Sequence, residues 1–204
     1  FMSCRPSNRQ LIHGLGDSIK VNAQMLKVHA YEYSAWASAF SISTSLDFYQ
    51  LTQGVPELVS AMQSGLYGQG DVAQMLENEI VNIYGAALVD LASLENNALF
   101  SVACLMVLMG EGNISELEAC GVRLSAIDQS YLVRDYPIFG VDPADRSFTC
   151  LGTEDNARLR LRKLVAEIRP ELVARAARIL IKAGRCDTAM DLADAFLDRS
   201  AVLE

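Results

Sequence analysis

Cationic side chains at Arg175, Arg178, Lys182 and Arg185 recur at intervals of three, four and three residues. At 100° per residue they fall within roughly an 80° sector of one α-helix. Leu172, Val173, Ala176, Ile179, Leu180 and Ala183 take the other side. Arg158, Arg162 and Arg169 lie just upstream, where complementing the dipole of that helix's C-terminus does not account for them. Guanidinium and ammonium groups in such a stripe grip anions, either phosphates or the carboxylates of an acidic protein. These seven residues are the candidate partner-binding set.

The stripe stands out because the chain as a whole is acidic, at −8. Residues 146–186 carry ten Lys/Arg against four Asp/Glu, or +6, while 57–145 carry two Arg against thirteen acids, or −11. A molecule divided in this way has a basic region suited to an acidic protein surface, to another copy of itself, or to nucleic acid.

Other reactive side chains lack the spacing that chemistry needs. His13 and His29 have no partner at a telling interval, so neither a nucleophile–base pair nor a zinc site is indicated. Glu77/Glu79 and Glu116/Glu118 are two apart and point to different faces of a helix. Cys4, Cys104, Cys120, Cys150 and Cys186 are scattered, with no Cys-x-x-Cys, which reads as reduced thiols in a cytoplasm. Gly14-Leu-Gly16 and Gly65-Leu-Tyr-Gly68-Gln-Gly70 follow no strand and precede no Gly-Lys-Ser/Thr, so they read as turns. The expectation is a non-enzymatic protein with no metal and no cofactor.

Residues 114–134 resemble a helix-turn-helix: a short helix, a turn at Gly121 followed by Val122, and a second helix. Ser125, Gln129, Tyr131 and Arg134 would be its DNA-contacting groups. Asp128 and Asp135 flank them, and an acidic reader needs cations from elsewhere to neutralise phosphates. Ala176 to Leu197 looks like one helical hairpin of a tetratricopeptide array. No 34-residue period accompanies it, so it is read as an αα-hairpin only.

The elements that position these groups are helical. Ile19, Ala23, Leu26, Ala30, Tyr33, Ala37 and Phe40 form an a/d seam over 18–40. Leu26, Tyr33 and Phe40 on that seam are the candidates for helix packing or self-association. A short helix follows over 45–53, and Pro56 opens another that Gly65 closes. Asp71 caps a longer helix running to Leu94, and the apolar run 98–109 reads as a buried central helix, too short to cross a bilayer. Short helices at 115–120 and 125–134 precede the one β element: Ile138 to Val141, an Asp-Pro-Ala-Asp turn, then Arg146 to Leu151. Helices resume at 157–168, 170–183 and 188–197.

The opening residues lack the apolar stretch of a signal peptide. Thirteen Arg against four Lys fits a GC-rich bacterial genome. The sequence therefore predicts an all-α, multi-helix bundle with short helices and at most one small β-hairpin near 137–151. Residues 1–140 form an acidic helical bundle and 141–204 a basic helical subdomain, which would pack on it. The expected function is that of a cytoplasmic, bacterial adaptor, chaperone-like or regulatory subunit, docking through helix faces and the Arg-rich surface. The alternative is a helix-turn-helix transcriptional regulator.

Overall fold

The computed structural model describes residues 52, 54–68, 71–94, 96–150 and 155–196. The seam over 18–40, with Leu26, Tyr33 and Phe40, and most of the short segment 45–53 lie outside the described residues. Within them the chain is mostly helical with one small antiparallel sheet. Its elements in order are α1 (Pro56–Gly68), α2 (Val72–Ala92), α3 (Asn97–Met109), β1 (Glu111–Asn113), α4 (Ile114–Ala119), α5 (Ala126–Asp135), β2 (Phe139–Asp142), β3 (Ser147–Cys150), α6 (Asp155–Ile168), α7 (Pro170–Lys182) and α8 (Cys186–Phe196).

The centre is α3, which is buried without interruption from Leu99 to Met109. A helix apolar on every side has no face for water and must be surrounded. Helices α2, α6 and α7 pack around it, and β3 closes one end. One apolar cluster joins them, from Leu58 on α1 and Leu91 on α2 to Leu161 on α6, Leu180 on α7 and Leu192 on α8. It draws on residues either side of position 140.

Local chemistry sets the boundaries. The Asp71 carboxylate accepts from the amide of Gln74 at 3.2 Å to start α2, and Asn96 accepts from the amide of Leu99 at 3.2 Å to start α3. Helix α1 does not stop at Gly65 but runs on to Gly68; a helical glycine costs about 1 kcal/mol against alanine, which tertiary packing overrides. Residues Arg158 to Arg162 alternate cation and leucine as a strand would, yet they lie within helix α6.

Strands β2 and β3 form the expected hairpin, Phe139 opposite Cys150 and Asp142 opposite Ser147. Asp142 shapes its turn by accepting from the amide of Ala144 at 2.8 Å. The structure adds β1, three residues between α3 and α4 that pair with β3, giving the order β1-β3-β2. The α4–α5 pair and the hairpin are thereby one unit: α3 leads through β1 into α4 and α5, and the hairpin folds back onto β1. Among the described residues no helix is long and apolar enough to cross a membrane.

Candidate interaction surface

The cationic set divides by where each helix turns it. Arg162 is 5% exposed and donates from Nε to the Leu108 carbonyl at 3.0 Å. Arg185 donates from Nη2 to the Met109 carbonyl at 3.0 Å, and from Nη1 to the Glu111 carbonyl and, at 3.5 Å, to the Glu116 carboxylate. Arg158 is half-buried, its guanidinium 3.4 Å from where a Cβ on Gly110 would sit. Three arginines thus converge on the C-terminus of α3. A buried helix end leaves its last carbonyls without amide partners and carries partial negative charge, and cations answer both needs.

The inward turn of Arg185 follows from how α7 ends. Gly184 takes φ +76; its amide donates to the Ile181 carbonyl at 3.0 Å, and that of Arg185 to the Leu180 carbonyl at 2.8 Å. This paired closure is a Schellman motif. Since α7 stops at Lys182, the 100° stepping that placed Arg185 on the outer stripe does not reach it. The stripe ends at Lys182, and Arg185 belongs to the interior grip on α3 and β1.

Arg169 sits between α6 and α7, half-buried, with its guanidinium carbon 5.6 Å from the Phe100 ring centroid. Its Nε meets Glu171 at 2.5 Å, and this hydrogen bond holds the Glu171 carboxyl below the usual carboxylate range.

What faces solvent on α7 is Arg175, Arg178 and Lys182, with Ile181 beside them at 41% exposure. Leu172, Val173, Ala176, Ala177 and Leu180 form the buried side. Arg175 also lies over the α4–α5 turn, its Nη1 3.9 Å from where a Cβ on Gly121 would sit. The cationic face and the α4–α5 turn are therefore neighbours.

The four groups expected to contact DNA are engaged within the fold. Ser125 caps α5, its hydroxyl accepting from the Asp128 amide at 3.1 Å and donating to the Asp128 carboxylate at 2.6 Å. Gln129 donates to the Leu124 carbonyl at 3.2 Å. Tyr131 packs against Tyr136 with ring centroids 5.9 Å apart. Arg134 holds the buried Asp135 through two bonds of 3.1 and 3.2 Å. Ile127 on α5 is a large apolar side chain left open to solvent, at 81% exposure.

A polar group that sequence reasoning missed lies beneath α5. Tyr136 donates to the buried Asp90 at 2.5 Å, and Tyr84 donates to the Ile138 carbonyl at 2.9 Å. Both bonds tie α2 to the segment entering β2. Burial pushes the Tyr136 hydroxyl above its ordinary range, and the bond to Asp90 adds to the effect. The Cys104 thiol is pushed up to about 12 and that of Cys120 to about 11, in both cases chiefly by burial. Such thiols are inert packing groups near neutral pH.

No protein-family model matches this sequence, and no curated protein or solved structure matches it either.

Proposed function

We propose that this protein is a non-enzymatic binding subunit that docks on acidic macromolecular surfaces through the outer face of α7. The observation carrying this reading is that Arg175, Arg178 and Lys182 stay exposed while Arg162, Arg169 and Arg185 are drawn into the fold. Exposed cations beside an exposed isoleucine combine electrostatic steering with a patch that releases water on contact. The free cysteines among the described residues suit a bacterial cytoplasm, where thiols stay reduced.

A second reading, DNA binding by the helix-turn-helix, gains from the union of α4, α5 and the hairpin in one unit. Its charge weighs against it. Residues 97–150 carry three Arg (Arg123, Arg134, Arg146) and seven acids, a net of −4, and Arg134 and Arg146 both hold carboxylates of the chain. Duplex affinity rests largely on phosphate neutralisation.

Affinity capture from the native host, with the natural chain and with Arg175→Glu, Arg178→Glu and Lys182→Glu combined, tests the first reading. The natural chain should retain an acidic partner that the triple variant releases. Gel retardation with duplex DNA addresses the second. Retardation with a steep salt dependence, and no protein partner, would overturn the docking reading.

A further inference from the structure

We propose that the acidic groove between α1 and α2 receives the cationic face of α7 from a second copy of this chain. This deepens the reading of α7 as a docking face, and rests on it, by naming a partner.

The groove encloses about 640 Å³. Pro56, Ala61 and Met75 give it an apolar lining, and Glu57 and Glu79 supply carboxylates at its walls. The surrounding stretch, 54–94, has five acids and no Lys or Arg. Among the described residues, Arg160 reaches its edge, its Nη1 donating to the Asn78 side-chain oxygen at 2.7 Å. The groove thus combines apolar side chains with two carboxylates. The face that suits it is a helix face carrying cations beside an apolar side chain.

The chain carries such a helix. Arg175, Arg178 and Lys182 span about 10 Å along α7 at 1.5 Å per residue, with Ile181 exposed about 60° to one side, next to Arg178. Within one molecule the two elements pack on different partners. Helix α7 packs on α3, α6 and α8 with its cations outward, whereas α1 packs on α2. Two copies can bring them together. At −8 overall, copies repel one another except where a basic patch meets an acidic one. The contact joins two different surfaces, so it either closes reciprocally into a two-fold dimer or repeats into a ring or an open chain of subunits.

Sedimentation velocity of the full chain over a range of concentrations tests this. The natural chain should self-associate, and raising salt from about 0.05 to about 0.5 M should weaken association by about tenfold or more. Glu57→Lys with Glu79→Lys should abolish it, as should Arg175→Glu with Arg178→Glu. Mixing the two variants should restore it, because each supplies the charge the other lacks. Circular dichroism checks folding, and Glu57→Gln with Glu79→Gln serves as the milder groove variant.

A chain that is monomeric at every concentration overturns the proposal, as does a groove variant that associates like the natural chain, or a mixture that stays dissociated. The docking reading is separable from this one. If the natural chain is monomeric yet charge reversal on α7 still releases an acidic partner, that reading stands and the groove is not its complement.

Discussion

Arg162 reaches back 54 positions to place its Nε 3.0 Å from the Leu108 carbonyl, inside the protein. That bond separates structural cations from surface ones. Arg162→Met keeps an unbranched apolar stem of similar reach and removes the donor. A buried carbonyl stripped of its partner costs about 1–3 kcal/mol. Arg175→Ala and Arg178→Ala, on the exposed face, should stay within about 0.5 kcal/mol of the natural chain. Urea midpoints measure both. Equal midpoints across the three variants would refute the division.

Tyr136→Phe deletes the hydroxyl that donates to Asp90 at 2.5 Å and leaves the ring in place. A buried carboxylate that loses a hydrogen-bond donor costs about 1–3 kcal/mol. The bond spans α2 and the entry to β2, so amide exchange should quicken around Ile138 and Phe139 as well as at the substituted residue. An unchanged urea midpoint would show that Asp90 does not depend on this hydroxyl.

Much of the fold was legible because its signals are local. Asp71 before a period of 3.6, a bounded apolar run over 98–109, and Pro170 opening a helix each carry their cause within a few residues. The hairpin announced itself through Asp-Pro-Ala-Asp between two alternating runs. Strand β1 had no such signal, since three residues show no alternation and gain their identity from pairing with β3. Of the candidate surface, the exposed trio on α7 follows from periodicity alone. The fate of Arg162 was half legible: it neighbours Leu161 and precedes Val165 by three residues, so it sits on the buried stripe of α6. Its partner, a carbonyl at the end of another helix, is a tertiary fact. Arg185 misled because the stepping assumed a helix that Gly184 ends.

Raising pH should destabilise the protein before any surface group explains it. In the unfolded chain the Cys104 and Cys120 thiols titrate near 9.0, whereas burial raises them to about 12 and about 11 in the fold. Above pH 9 the unfolded state therefore binds fewer protons than the native state, and stability falls as pH rises. Their contribution is whole below about pH 9 and is lost progressively up to about pH 12. Tyr136, also raised, adds to the decline above its ordinary value near 10. Urea midpoints from pH 7 to pH 10.5 should drop, and Cys104→Ala with Cys120→Ala should flatten the slope. A slope unaffected by removing both thiols would place the cause elsewhere.

Gly112 tests the other internal arginine. A Cβ at that position would collide with the Glu116 carboxylate and stand 2.9 Å from Arg185 Nη1 and 3.1 Å from the Phe148 ring. Glycine in β1 therefore leaves room for the Arg185 guanidinium and the Glu116 carboxylate to meet beside the backbone. Gly112→Ala should cost about 1–3 kcal/mol through forced displacement of these groups. The nearest obstacle is the end of a flexible side chain, so relief has a definite route: Glu116 swings away and its contact with Arg185 at 3.5 Å is lost. In a Glu116→Ala background that collision is already gone, and the same glycine substitution should cost less. The coupling in this double-mutant cycle should exceed about 0.5 kcal/mol. Strictly additive costs would mean that Gly112 is required by its backbone angle or by Phe148, and that Arg185 holds α3 without help from Glu116.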